Sequence, residues 1–254
     1  GYDMQQLTVH TVYRLANTPA RLFPFKHYVL EDFLDPDLFR DLRALDTEGL
    51  LEQRIKTADY PDEEKRFVLR MTDPAVVSDA SMPNCVKAMT SLVSQGPIVR
   101  TLVRLFEESV NRRFPFVPPV LSNIDLIEDR QGYQLAPHTD VSQKLVTCLI
   151  YLAADDADPM IGTELYALRG GTKRPDEIPK RWDRSMFVRA TTAPYRPNTA
   201  LIFSPGLDTF HGVSKFTRQG QVRKLMQFQI NIDEPAYKLQ HAKFQENQAK
   251  KAGG

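Results

Sequence analysis

Hydrophobic spacing divides this chain into a helical first part and a strand-rich second part. In the first part, Leu38, Leu42 and Leu45 recur on one helical face. Asp35 precedes them as a cap residue, and Pro36 takes the first helical position, where no intrahelical N–H bond is lost. The stretch therefore predicts a helix that begins at Pro36 and buries its leucine face.

A second helical zone covers about residues 83–113, and Gly96-Pro97 predicts a break within it. The apolar residues that recur there at helical spacing are Ile98, Leu102, Leu105 and Phe106. Residues 7–34 instead include short β-like stretches, and we leave the opening residues GYDM out of the pattern. Together these segments indicate an N-terminal helical support over about residues 7–115.

The second part reads as short strands bounded by Pro, Asp or Gly. The runs are SNIDLIED, KLVTCLIYLAA, PNTALIFSP and VRKLMQFQINI. Helices followed by several antiparallel-type strands favour an α+β fold, with a barrel or jelly-roll core over about residues 116–235. Residues 236–254, rich in Gln, Lys and Ala, predict a peripheral tail, and the length is ordinary for one domain over residues 1–254.

Residues 169–187 form a separate segment, RGGTKRPDEIPKRWDRSMF, which is dense in charge, Gly and Pro and has no sustained period. A long loop in a compact domain is often a lid or a binding loop. Plain disorder fits the same composition, so both interpretations stay open.

Composition narrows the classes of partner. The formal net charge of +1 provides no overall field for nucleic acid or an anionic membrane. The two cysteines, Cys85 and Cys148, have no CxxC spacing, which favours a reduced, cytoplasmic setting. No apolar run approaches the length of roughly 20 residues that spans a bilayer. The sequence therefore predicts a small-molecule partner rather than nucleic acid or membrane, and it leaves the oligomeric state open.

The sharpest chemical signal is Pro137-His138-Thr139-Asp140. On an extended segment, His138 and Asp140 point to the same face, so one metal ion could take both. The alternative is a surface histidine beside a turn aspartate. The remaining histidines are His10, His27, His211 and His241. His211 follows a predicted strand in the second part, and it is the natural third ligand of a two-histidine, one-carboxylate iron site.

A strand that follows His211 opens with the cations Arg223 and Lys224. A guanidinium in this position can grip a carboxylate through two parallel hydrogen bonds. Strand alternation puts Arg223 on one face with Gln227, while Lys224 takes the other face. We prefer Arg223 as the carboxylate anchor.

The order of these motifs resembles the Fe(II)/2-oxoglutarate-dependent dioxygenase superfamily, in its prolyl-hydroxylase-like branch. The resemblance covers roughly residues 120–232, and it matches His138, Asp140, His211 and Arg223 to the pattern of HxD, distal histidine and basic anchor. It implies a double-stranded β-helix, with Fe(II) as cofactor and 2-oxoglutarate and O2 as co-substrates. In many relatives a Pro-Val pair follows the distal histidine, whereas this chain has Lys215-Phe216.

The turn between His211 and Arg223 is longer than in many relatives. It also contains Arg218, a second candidate for the anchor. The resemblance further implies that Tyr133 and Thr147 bind the 2-oxoglutarate carboxylate. The alternatives are a core tyrosine and an ordinary strand threonine.

Five residues are candidates for contact with the substrate. Asn123 and Asp125 alternate on one strand and face either the interior or solvent, and Gln227 shares the face of the proposed anchor. Trp182 and Arg184 lie in the basic part of the long loop. Either this loop closes over the substrate, or it is a solvated loop that one side chain anchors to the protein.

The resemblance implies a hydroxylase that acts on a small molecule and releases succinate and CO2. Because Asp140 fills the position that halogenating members leave to chloride, hydroxylation, desaturation or ring closure is favoured over halogenation. A protein or peptide hydroxylase that docks its partner on residues 169–187 is one alternative. A non-catalytic jelly-roll protein that binds a metal or a ligand is another.

Overall fold

The computed structural model of this chain describes residues 1–53 and 59–254. The helices are α1 Met4–Ala16, α2 Pro36–Arg43, α3 Pro74–Val77, α4 Asn84–Leu92, α5 Gly96–Leu105, α6 Glu107–Arg113 and α7 Glu234–Ala252. The strands are β1 His27–Leu30, β2 Glu52–Gln53, β3 Arg66–Arg70, β4 Val120–Arg130, β5 Leu135–His138, β6 Lys144–Tyr151, β7 Thr163–Leu168, β8 Phe187–Ala193, β9 Thr199–Phe203, β10 His211–Val213 and β11 Val222–Ile232. No described helix has the length and apolar character needed to cross a membrane.

The leucine-patterned helix is confirmed as α2. The Asp35 side chain accepts a hydrogen bond from the backbone N–H of Asp37, and Leu38 and Leu42 are buried. The second helical zone is confirmed as α4, α5 and α6, and α5 begins at Gly96, where the break was expected. The C-terminal tail is the exposed helix α7, which has no buried residue.

The β-like interpretation of the first part of residues 7–34 is wrong, because α1 occupies this stretch. The Asp3 side chain accepts hydrogen bonds from the backbone N–H groups of the next turn and so caps the helix. Leu7 and Leu15 are buried on its inner face. The cap lies within GYDM, which was left out of the pattern, and the many Thr and Val residues that follow are typical of strands.

The strands form two antiparallel sheets. The larger sheet has the order β1-β9-β6-β11-β4-β3-β2, and the smaller sheet has the order β5-β10-β7-β8. The N-terminal support is therefore not only helical, because β1, β2 and β3 all precede residue 115. β3 extends the larger sheet beyond β4, and its pairing sets Arg66 opposite Asp129 and Arg70 opposite Asp125. Such partners distant in sequence leave no local pattern.

Each face of the larger sheet has its own apolar cluster, because successive strand residues point to opposite faces. On one face, Leu126 and Ile150 pack in a cluster with α2 and α5 residues such as Leu38. On the other face, residues of β6 and β11 share a cluster with Leu165 and Val213 of the smaller sheet. The helices therefore cover the outside, and the candidate polar residues lie between the sheets.

Candidate metal centre

The pairing of β5 with β10 brings His138 directly opposite His211, with ring centroids 4.3 Å apart. Asp140 follows β5, and its Oδ1 lies 3.6 Å from Nε2 of His138 and 3.4 Å from Nε2 of His211. One ligand atom from each of the three residues lies within 4.8 Å of the others. The three predicted ligands are thus brought together.

Both imidazoles are held with Nε2 toward Asp140. Nδ1 of His138 lies 3.0 Å from the carbonyl oxygen of Ala136, and Nδ1 of His211 lies 2.9 Å from that of Thr209. Because a carbonyl oxygen only accepts, Nδ1 carries the proton in each neutral ring and Nε2 keeps its lone pair. Two imidazoles that present Nε2, together with a carboxylate, form the donor set of a facial non-haem iron site.

The surroundings of His138 and Asp140 favour the protonation states that a metal requires. Burial, with the neighbouring His211, lowers the pKa of His138 to about 4. Burial alone would raise the pKa of Asp140. The pKa of Asp140 nevertheless lies well below its usual range. The electrostatic effect of His211 is the main cause, and hydrogen bonds with both histidines and the charge of Lys144 add to it. At neutral pH the His138 imidazole is therefore neutral and the carboxylate is ionised.

Thr147 supports the carboxylate ligand. Its Oγ1 donates a hydrogen bond of 3.0 Å to Oδ2 of Asp140, which leaves Oδ1 facing both histidines. Thr147 was predicted to contact 2-oxoglutarate, whereas its recorded hydrogen bond in the structure is to Asp140.

The metal ligands lie on the wall of a cavity of about 510 Å³. The lining also includes the predicted residues Tyr133, Thr147, Arg223 and Gln227. Arg218, the second candidate anchor, is not among the lining residues. The cavity runs from the buried Arg223 to a rim that carries the exposed Ile178.

Arg223 is held in a buried ion network. Its Nη1 donates to Oδ2 of Asp129 at 2.7 Å, its Nε to the carbonyl oxygen of Ile161 at 2.7 Å, and its Nη2 to Oγ1 of Thr163 at 2.9 Å. Arg66 reaches the same Asp129 carboxylate from β3, with Nε at 2.6 Å and Nη2 at 2.9 Å. The sequence interpretation missed Arg66 and Asp129. The strand alternation that places Asp129 on the face of Asp125 was the one available signal.

Tyr133 lies beside this network. The side chain is buried, and the guanidinium of Arg66 lies 4.8 Å from the centre of its ring. Burial raises the pKa of the Tyr133 hydroxyl, so the group stays protonated and can donate. Tyr133 is also among the residues that line the cavity.

Three of the five predicted substrate residues lie on β4 and β11 of the larger sheet. Gln227 lines the cavity, and the neighbouring Asp125 is buried and accepts from Nε of Arg70 at 2.9 Å. Asn123, farther along the same strand, lies 3.5 Å from the hydroxyl of Thr72.

Trp182 and Arg184 lie outside the cavity lining. The Trp182 ring packs against Phe187 and Phe210 in a separate apolar cluster. Arg184 donates to the Tyr166 hydroxyl and to two backbone carbonyl oxygens. Both side chains anchor the loop to the smaller sheet, which agrees with the packing alternative.

The loop itself reaches the cavity by a short stretch that the sequence did not single out. Residues 178–181 line the rim, and Nε of Arg181 donates to Oε1 of Glu63 at 2.6 Å. Residues 169–183 contain no described helix or strand, and β8 begins at Phe187.

Comparison with family models and with curated proteins found no match. Solved structures match over most of the chain. The epimerase SnoN in complex with Fe3+, alpha ketoglutarate and nogalamycin RO has a TM-score of 0.52 and 12% identity, over 90% of this chain and 83% of SnoN. A prolyl hydroxylase of Trichoplax adhaerens, in complex with a hypoxia inducible factor peptide fragment, has a TM-score of 0.50 and 13% identity, over 93% of each chain.

The carbocyclase SnoK from nogalamycin biosynthesis has a TM-score of 0.50 and 13% identity, over 91% of this chain and 86% of SnoK. The chain therefore has the fold of non-haem, alpha ketoglutarate-dependent enzymes. A prolyl hydroxylase shares this fold with enzymes of nogalamycin biosynthesis.

Proposed function

We propose that this chain is an Fe(II)- and 2-oxoglutarate-dependent oxygenase that hydroxylates a small molecule, with release of succinate and CO2. One observation carries the proposal. His138, Asp140 and His211 converge on the wall of a cavity whose buried end carries a guanidinium. We assign the two-sheet core to the double-stranded β-helix and treat residues 1–254 as one domain.

The donor set fits Fe(II). The imidazoles of His138 and His211 and the carboxylate of Asp140 would hold the metal, and such a donor set would leave it able to bind 2-oxoglutarate and O2. When bound, the iron and its co-substrates supply the oxidising chemistry, while the protein holds, orients and excludes water. Because Asp140 is present, this site favours hydroxylation over halogenation.

Arg223 and Tyr133 fit the distal carboxylate of 2-oxoglutarate. A guanidinium has five N–H donors, and the structure records three hydrogen bonds from Arg223. Both Arg223 and Tyr133 line the cavity, where the guanidinium and the hydroxyl would donate to a carboxylate at the buried end. We propose that Thr147 holds Asp140 and that Gln227 orients the substrate.

The cavity supports a small-molecule substrate over a protein. Its volume of about 510 Å³ is within the range of ligand pockets, and residues 178–181 cover part of its rim. SnoN, which shares the fold, was solved with nogalamycin RO in its complex.

The first test examines binding of Fe(II) and 2-oxoglutarate and then turnover with O2. Under anaerobic conditions, Fe(II) and 2-oxoglutarate should together produce a charge-transfer absorption band. On admission of O2, a panel of amino acids, sugars and natural-product intermediates should include one that stimulates succinate release and gains an oxygen atom by mass. His138→Ala should abolish both signals.

His10→Ala is the matched control, because His10 is a histidine of α1 outside the cavity lining. A metal-loaded protein that neither shows the band nor releases succinate with any panel member would contradict the proposal and favour a binding protein. An oxygen atom gained by a co-purifying protein would favour a peptide hydroxylase.

A further inference from the structure

Lys144 enters the cavity because of an irregularity in β6. Along this strand, Thr147 and Leu149 line the cavity, while Val146 and Cys148 pack toward the helices. Simple alternation would place Lys144 on the helical side as well. The register between β6 and β11 shifts at this end of the strand, so that Leu145 is an extra residue. Such a bulge re-aims a side chain, and Lys144 lines the cavity.

Among the residues that the structure describes, the ammonium group of Lys144 has no strong partner in the cavity. Its side chain is 18% exposed, and its Nζ lies 3.7 Å from Oδ1 of Asp140, which is beyond hydrogen-bond length. The other oxygen of Asp140 already accepts from Thr147. Since Oδ1 faces the two histidines, a bound metal would coordinate this oxygen.

The other charges of the cavity balance one another. Arg66 and Arg223 share Asp129, which leaves one positive charge for the distal carboxylate of 2-oxoglutarate. Fe(II) is balanced by Asp140 and by the second carboxylate of 2-oxoglutarate. Arg181 is paired with Glu63.

Of the charged lining residues in the described part of the chain, two cations are therefore not balanced when the site is loaded. One is Lys144, and the other is Lys180 at the rim, which lies 5.6 Å from the ring of Tyr60. Coulomb attraction at such a site is several times stronger than in bulk water. A neutral substrate would leave both charges uncompensated, with that of Lys144 beside the metal ligand Asp140.

We infer that the substrate of this enzyme carries an anionic oxygen group, a carboxylate or a phosphate, and that Lys144 binds it. This inference rests on the proposed function and names the substrate class for the same site. Lys180 attracts the anion at the rim, and Lys144 fixes it near the metal.

The test uses the full chain loaded with Fe(II) and 2-oxoglutarate without O2. The probes are matched pairs: N-acetylated amino acids beside their primary amides, and hexose phosphates beside their parent hexoses. Anionic members should raise the melting temperature and bind, and their neutral partners should not. The carboxylate and phosphate arms identify which anion fits. Lys144→Gln should weaken the tightest anion by about tenfold or more, and Lys144→Arg should restore most of the affinity.

Lys173→Gln is the control, because Lys173 is an exposed lysine of residues 169–187, the segment that carries Lys180, and it does not line the cavity. A lysine that acted only through Asp140 would change Fe(II) affinity and leave the preference for anions over amides unchanged. Neutral partners that bind as tightly as the anions, no anionic probe that binds, or an unchanged anion affinity in Lys144→Gln would each overturn the inference.

The charge-transfer band of Fe(II) and 2-oxoglutarate is recorded before any probe is added. If the band is absent, the proposed function fails. If the band is present and the anions do not bind, only the inference about Lys144 fails.

Discussion

Asp129 is fully buried between two guanidiniums at the inner end of the cavity. An ionised carboxylate in such a place is stable only because Arg66 and Arg223 surround it. Their three charges leave one net positive charge, which is less attractive to a dicarboxylate than two free arginines would be. Asp129 therefore has two opposing effects: it holds Arg223 in place and competes with 2-oxoglutarate for its charge.

Asp129→Asn separates these two effects. We expect the free protein to lose about 3–5 kcal/mol of stability, because two buried guanidiniums lose their counter-ion. Added 2-oxoglutarate should then raise the melting temperature more in the variant than in the parent, since its carboxylate replaces the lost charge. Thermal unfolding with and without 2-oxoglutarate and Mn(II) measures the loss of stability and the shift in melting temperature that the ligand causes. Asp37→Asn, at an exposed helix pair, is the control. An equal or smaller ligand shift would show that Asp129 is only structural.

At the residue scale, the sequence was informative where the chemistry is local. His138 and Asp140 are two positions apart on one extended segment, so their convergence needs no tertiary information. Arg66 gave no such signal, because it meets Asp129 only after β3 pairs with β4. The role of Lys144 depends on a bulge, and a register shift leaves no mark in the pattern of residues.

At the scale of elements, the metal centre depends on how closely β10 approaches β5. A Cβ atom on Gly212 would lie 2.5 Å from the backbone oxygen of Leu135 in β5. Backbone cannot yield as a flexible side chain would, so any larger residue forces the two strands apart. The separation of His138 and His211 is therefore set by a glycine beside one of them.

Gly212→Ala should reduce Mn(II) affinity at least about tenfold, as expected when support for a ligand is lost. It should also cost about 1–3 kcal/mol of stability through overpacking. Metal titration and urea unfolding measure the two effects. Gly170→Ala is the control, because nothing lies within 4 Å of the Cβ position there. Parent-like metal affinity in Gly212→Ala would mean that the strands can separate without moving the ligands.

Elements with strong local signals were predictable. The helix α2 has its cap, its proline and its leucine face in one stretch, and β11 matches the predicted run from Val222 to Ile232. The helix α1 was missed because its cap Asp3 lies in the residues left out of the pattern and its β-branched residues are typical of strands. The short strand β1 depends on a partner far along the chain, and β2 has only two residues, so local pattern could not reveal them.

At the scale of the whole molecule, the cavity is enclosed by segments from both halves of the chain. The turn Pro61–Lys65 comes from the N-terminal half, and residues 178–181 come from the long loop. The buried pair of Glu63 with Arg181 joins them, and its side chains are 6% and 16% exposed. Composition could not distinguish a lid from a disordered loop here, because the partner that orders the loop lies more than a hundred residues earlier.

Breaking this pair should loosen the loop without touching the metal ligands. Glu63→Gln leaves the Arg181 guanidinium without its counter-ion, and removal of one partner of a buried pair costs about 3–5 kcal/mol. Local opening should then expose the basic sites of residues 173–184 to trypsin several-fold more often. The control is Asp208→Asn, which removes the exposed partner of Arg174 in the same loop and should change little. Limited proteolysis read by mass spectrometry compares the two variants. Equal cleavage rates would mean that the apolar anchor of Trp182, not the ion pair, holds the loop over the cavity.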